Sequence, residues 1–198
     1  MNRVWSGALA GSLLLAMCKS EKPEPVPSAV PAPTVGSSVP QDSPPGPGAP
    51  GSWTVTPRSV GPIRFGMTVA SARAALRDSL AGVPEDGSCV MVTPTGAPAG
   101  VTLMVEKGQV VRVDVDSGNV VTDHGARVGY SDVVVKERYG DSLVVTPHKY
   151  DEKSRYLTFV PPGPDGSQFR VIFESNGIRV TTFRAGIRPA VEYVERCG

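Results

Sequence analysis

The stretch Ile63–Leu76, IRFGMTVASARAAL, reads as the end of a strand, a glycine corner, and a helix entered through a threonine. The same grammar returns 63 positions further on, at Ala126–Tyr139, as ARVGYSDVVVKERY. Setting Gly66 over Gly129 pairs Arg64 with Arg127, Phe65 with Val128, Met67 with Tyr130, Thr68 with Ser131, Arg73 with Lys136 and Leu76 with Tyr139, and each pair keeps its physical character. Thr68 and Ser131 stand at helix N-cap positions, where a hydroxyl accepts a hydrogen bond from a free first-turn N–H just ahead of a helix-period pattern. After Thr68, the apolar residues Val69, Ala72, Leu76 and Leu80 recur at three- and four-residue steps, which predicts one buried stripe with Arg73 and Arg77 facing water. After Ser131, Asp132 lies in the first turn and Lys136 and Arg138 in the last, the order that suits a helix dipole, and Gly140 supplies a left-handed stop. The β-branched run Val133-Val134-Val135 opposes a helix through lost rotamer freedom, but cap, dipole and stop together outweigh it.

The segments downstream of the two predicted helices also match. GVTLMVEKGQVVRVDVDSG (100–118) and QFRVIFESNGIRVTTFRAG (168–186) are alternating runs folded over glycine turns at Lys107-Gly108 and Asn176-Gly177. In the first, Val101, Leu103 and Val105 point one way. In its return strand Val111, Val113 and Val115 share a face, while Arg112, Asp114 and Asp116 take the other, read as the solvated side. In the second, Phe169, Val171 and Phe173 form the buried row, and shorter strands are expected at 90–93, 143–146 and 156–160. The expected fold class is α+β: a tandem repeat of two units, 53–122 and 123–198, each a short helix packed on an antiparallel β-sheet. One such unit has a thin core, so the two are expected to pack on each other.

Residues 1–18, MNRVWSGALAGSLLLAMC, carry an early cation at Arg3, an apolar run through Leu13, Leu14 and Leu15, and then small residues. This predicts a signal peptide, because a bilayer span takes about 20 apolar residues and the run is shorter. LLLAMC resembles a bacterial lipoprotein box in which Cys18 becomes the lipidated first residue, with Met17 standing where that pattern prefers Gly, Ala or Ser. Residues 19–52 hold ten of the twenty prolines and almost no large apolar side chain, which predicts a disordered tether. Of the three cysteines, Cys18 aside, Cys89 and Cys197 remain. In an oxidising compartment they are expected to bond to each other, since neither sits in a CxxC motif or a thiolate-stabilising cluster. The net charge of +1, with no lysine or arginine run, leaves no electrostatic footprint for nucleic acid or an anionic membrane face, so the expected membrane attachment is through the N-terminal lipid only. The expected location is the periplasm, anchored to the outer membrane, or the cell exterior.

A Gly-Met-Thr corner ahead of a short amphipathic helix and an antiparallel sheet, in tandem on an exported chain, is similar to the superfamily of the β-lactamase inhibitory protein and the small outer-membrane assembly lipoproteins. More narrowly, GPIRFGMTVASARAAL, GYSDVVVKERYGD, VTPHKYD and PAVEYVERCG resemble a group of bacterial exported proteins, over residues 60–198. Tyr130 stands opposite Met67, so only the first unit carries the motif literally. The resemblance implies a non-enzymatic scaffold whose sheet or loops grip another protein.

Catalytic chemistry is thinly represented. His148, in TPHKYD, has Asp151 within reach as an orienter, but no GxSxG elbow or reactive cysteine accompanies it, and a loop histidine bonded to backbone is expected. Asp114, Asp116, Asp123 and His124 are the densest set of potential metal ligands, yet DVDSGN puts Gly118 where a calcium loop wants an oxygen donor. No catalytic residue, cofactor or metal site is expected. The expected function is non-catalytic binding of a protein partner in the cell envelope, with Tyr130, Tyr150 and Tyr156 as the aromatic anchors that interfaces favour. The alternatives are a secreted small-molecule or metal-binding domain using the sheet face, and a hydrolase using His148.

Overall fold

Two glycine corners organise the molecule, because each gives its peptide groups to a strand distant in sequence. The computed structural model describes residues 52–77 and 80–198. At the first corner the Gly66 N–H donates to the Val110 carbonyl (2.8 Å), the Val110 N–H to the Met67 carbonyl (2.9 Å), and the Val69 N–H to the Gly108 carbonyl (3.0 Å). At the second, the Gly129 N–H donates to the Val180 carbonyl (2.9 Å), the Val180 N–H to the Tyr130 carbonyl (2.8 Å), and the Asp132 N–H to the Ile178 carbonyl (3.1 Å). Gly66 and Gly129 have φ of +91° and +89°. A Cβ at Gly66 would make only an ordinary contact with Ile187 and one at Gly129 would meet nothing, so backbone conformation rather than crowding selects glycine at both.

Helices start where the hydroxyls put them. Thr68 Oγ1 accepts from the Ser71 N–H and opens α1 (Val69–Ala75), and Ser131 Oγ accepts from the Val134 N–H and opens α2 (Asp132–Tyr139), which Gly140 ends at φ +57°. The predicted first helix is too long: it ends at Ala75, and Arg77 adopts a left-handed φ of +54°. Leu80 is buried all the same, beyond the helix, and Arg73 turns back to donate from Nε to the Leu80 carbonyl (3.1 Å) instead of facing water.

The strands are β1 (Val55–Thr56), β2 (Ser59–Val60), β3 (Ile63–Arg64), β4 (Val90–Val92), β5 (Val101–Glu106), β6 (Gln109–Val115), β7 (Leu143–Pro147), β8 (Arg155–Phe159), β9 (Phe169–Ser175) and β10 (Val180–Ile187), with a one-turn helix α3 (Asp165–Gln168) before β9. β1, β2 and β3 make a small antiparallel sheet; the other seven make one antiparallel sheet in the order β4-β5-β6-β10-β9-β8-β7. Its seam is the β6–β10 pairing, where Phe183 faces Val115 and Ala185 faces Val113. The fold is thus α+β, as expected. No helix of the described residues is long and apolar enough to cross a membrane.

One face of the large sheet carries the main core. Val101, Leu103, Val105, Val110, Val113 and Val115 from one side of the seam and Leu157, Phe159, Val171, Phe173, Phe183 and Ala185 from the other join Ala72, Val135 and Tyr139 of the helices and Val55, Val60 and Ile63 of the small sheet. The predicted Val111 does not join them. The pairing shifts between Met104↔Arg112 and Val105↔Val110, so Val111 is an extra residue, and it packs in a second apolar cluster with Met104 and Ala190.

Candidate functional site

The opposite face of the sheet was expected to be solvated, and here the structure corrects the sequence. Arg112 is 1% exposed and Asp114 7%, because residues 188–198, hereafter the strap, fold back across them with a 3₁₀ turn at Ala190–Glu192. Period-two alternation puts Arg112 and Asp114 of β6 on this face, and the β6–β10 register sets Arg184 directly opposite Asp114. Arg112 holds Asp114 with two parallel bonds, Nε to Oδ2 at 2.8 Å and Nη2 to Oδ1 at 2.5 Å, and its Nη1 donates to the carbonyls of Ala190 (3.1 Å) and Tyr193 (2.6 Å). Arg184 donates from Nε to the Val191 carbonyl (2.7 Å) and pairs through Nη1 with the Glu174 carboxylate. Burial pushes the Arg112 guanidinium below its ordinary value, while the Asp114 bond and charge pull the other way. Two buried guanidiniums therefore do two jobs each: one side neutralises a carboxylate of the sheet, the other receives peptide carbonyls of the strap.

The far end of the strap is fixed covalently. Cys197 is bonded to Cys89, just ahead of β4, with Cα atoms 5.5 Å apart and a separation of 108 positions in sequence. The second apolar cluster, Met104, Val111 and Ala190 with Cys89, Met91 and Cys197 against it, lies beneath the same segment. A cavity of about 600 Å³ opens beside it, lined by Glu106, Lys149, Glu192, Tyr193 and Arg196 among others.

The β7–β8 loop reaches the strap from the other side. Asp151 shapes it, accepting from the Ser154 hydroxyl (2.5 Å) and the Lys153 N–H (3.0 Å), and these bonds hold its carboxyl below the ordinary value. The Tyr150 N–H donates to Nδ1 of His148 (3.2 Å), the His148 ring stacks on Tyr156 (4.6 Å between centroids), and Nε2 lies 3.8 Å from Glu174. The Tyr150 hydroxyl donates to the Glu195 carboxylate of the strap, and Lys149 Nζ stands 3.8 Å from the same group. Burial, and then the Glu174 charge, raise the Tyr156 hydroxyl above its ordinary value; the Arg184 guanidinium sits 5.6 Å over its ring.

The predicted residues thus divide. His148, Tyr150, Tyr156, Asp114, Cys89 and Cys197 converge on the strapped face. Tyr130 does not: it is 7% exposed, belongs to the main core, and is faced by the guanidiniums of Arg127 and Arg138, so it presents no anchor to a partner. Asp116 accepts from the Ser117 hydroxyl, and Asp123 and His124 pair with each other while the His124 ring stacks on Tyr139 (4.3 Å), whose hydroxyl burial pushes far above the tyrosine range. Among the described residues no three His, Cys, Asp or Glu side chains are grouped to hold a metal ion. Cys18, the predicted signal peptide and the predicted tether up to residue 51 lie outside the described residues. The sequence reading missed Arg112, Arg184 and Glu174. The expected Cys89–Cys197 bond was a partial signal: it ties the end of the chain to the start of β4, while the face that residues 188–197 cross, and so the burial of these charges, is set by the fold.

No protein-family model, no curated protein and no solved structure matches the chain.

Proposed function

We propose that this protein is an exported, lipid-anchored protein of the bacterial cell envelope, attached through Cys18, whose α+β module binds another protein without catalysing a reaction. The module is a tandem repeat of two units, 53–122 and 123–198, akin to the superfamily of the β-lactamase inhibitory protein and the small outer-membrane assembly lipoproteins. The matching trios of backbone hydrogen bonds at Gly66 and Gly129 support the duplication. The Cys89–Cys197 bond supports an oxidising compartment.

The observation that carries the binding reading is that the charged groups of the strapped face are committed to structure. Arg112 and Arg184 are each held between a carboxylate of the sheet and the strap backbone, and His148 receives a backbone N–H at one ring nitrogen and faces Glu174 with the other. Such a set fixes shape and potential rather than moving protons. Tyr150, 61% exposed at the rim of this face, is the aromatic anchor that remains open to a partner. Crosslinking in the native envelope followed by mass spectrometry tests the reading: a stoichiometric protein partner is expected, captured at least tenfold less by Tyr150→Ala, and failure with several linker lengths overturns it. The cavity of about 600 Å³ beside the strap favours small-molecule binding as the second reading, for which ligand-dependent thermal shifts are the test.

A further inference from the structure

We propose that the strap is a detachable ligand of its own sheet, latched by the Cys89–Cys197 bond, and that the face beneath it receives a peptide segment of another protein. The receptor half of this inference rests on the protein-binding reading; the latch does not. Three observations carry the latch. The apolar cluster in which Ala190 of the strap packs on Met104 and Val111 of the sheet is separate from the main core on the other face, so the strap can leave without opening that core. Among the described residues, the backbone bond from the Arg188 N–H to the Gln168 carbonyl (2.8 Å) is the last to tie this segment to the sheet side; residues 190–198 are held by side chains and the disulfide. When the strap leaves, Arg112 keeps Asp114 and Arg184 keeps Glu174, so the two most deeply buried guanidiniums retain their carboxylates, while Arg170 gives up Glu192 (3.9 Å) and keeps the carbonyls of Gly166 and Phe169.

The same bonds define the occupant. Departure of the strap strips acceptors from Arg112 Nη1 and Arg184 Nε, which now serve the carbonyls of Ala190, Tyr193 and Val191, and bares an apolar seat at Met104 and Val111. Asp114 and Glu174 already neutralise the two guanidiniums, so an anionic ligand gains little there. Main-chain carbonyls flanking apolar side chains of the size of Ala190 and Val191 restore the hydrogen bonds of both guanidiniums and the apolar burial. The partner segment is therefore a neutral peptide turn of the strap's own chemistry. Opening needs a dithiol reductant: one thiolate attacks a sulfur of the bond, the second resolves the mixed disulfide, and two electrons and two protons end on Cys89 and Cys197 while the reductant becomes a disulfide.

The test uses the full chain, oxidised, reduced, and as Cys197→Ser, with a labelled synthetic peptide of residues 188–198 carrying Cys197→Ser as probe. Hydrogen exchange in the reduced and variant proteins should show protection at Arg188, Glu192 and Tyr193, the strap amides that are hydrogen-bonded, falling at least tenfold while β5, β6, β9 and β10 keep theirs. The peptide should bind those forms and not the oxidised one, and a peptide that also carries Ala190→Glu should bind none. Unchanged strap protection, loss of protection throughout the sheet, or equal binding of both peptides overturns the proposal. A partner crosslinked equally by oxidised and Cys197→Ser protein overturns the receptor assignment and leaves the protein-binding reading standing; strap opening and peptide binding with no envelope partner does the reverse.

Discussion

At the scale of single residues, the sheet holds its strap by placing each buried guanidinium between a carboxylate of its own and a carbonyl of the strap. Removing the carboxylate tests this directly. Asp114→Ala leaves the Arg112 guanidinium, 1% exposed, without its counter-charge, and the expected loss is about 3–5 kcal/mol in urea denaturation. Replacing both partners, Arg112→Met with Asp114→Leu, should cost less than the single change, because no unpaired charge remains; equal costs would mean the pair is not what holds this face. Asp151 tests the loop that carries His148 and Tyr150. Its folded-state carboxyl is lowered, first by the Ser154 hydroxyl and then by the Lys153 N–H, so its ordering contribution is fully present above the ordinary carboxylate value of 3.8 and is lost as pH falls through the lower folded value. Amide protection of Lys153 and Ser154, the two residues that Asp151 holds, should thus be flat from pH 7 down to about 4 and fall only below that, and Asp151→Asn should abolish this dependence. Arg112 and Asp114 were legible in the sequence as one strand face. What covered that face was not, because alternation reports which side a residue takes and says nothing about what lies over it.

At the scale of elements, the features read correctly were those written in adjacent residues. Thr68 and Ser131 cap their helices, and the Lys107-Gly108 pair turns β5 into β6 with φ of +51° and +73° at its two residues. The misreadings concern single residues that change register or direction: Arg77 leaves the helix early and Val111 is the bulge, and neither side chain announces it. The outer edge of the sheet shows how one residue controls an element. The His148 N–H donates to the Ser154 carbonyl and the Val160 N–H to the Ser142 carbonyl, which sets the even-numbered residues of β7 bonding inward to β8 and the odd-numbered ones facing out. Of those, Leu143 spends its N–H on Gly140 and Pro147 has none, leaving Val145 as the outward donor. With Val144 and Val145 exposed, the edge would otherwise suit pairing with a second chain. Pro147→Val restores a donor and should produce concentration-dependent dimers in light scattering; a variant that stays monomeric at high concentration would show that the proline does not guard this edge.

At the scale of the whole molecule, one sheet runs through both predicted units, and its seam is β6 against β10 rather than neighbours in sequence. The two corners and their hairpins were legible because each is a local pattern that recurs. The strand order was not, since it depends on which hairpin edges meet, and Val113 facing Ala185 or Val115 facing Phe183 carries no short-range signal. The disulfide bridges both levels: its partners were predicted by elimination and compartment, while the path of the chain between them needed the fold. Because the bond joins residues 108 positions apart, the chain-entropy account assigns it about 4–5 kcal/mol through the unfolded state. For a domain of this size each kcal/mol moves Tm by roughly 2–4 °C, so Cys89→Ser with Cys197→Ser should unfold on the order of 10–15 °C below the oxidised protein in calorimetry. The variant should still melt in one cooperative step, since the main core and the β6–β10 seam do not touch the bond. A drop of only a few degrees would mean that the crosslink does little to restrict the unfolded chain, and a broad or two-step melt would mean that the halves on either side of the seam are stapled by the sulfurs rather than by the sheet.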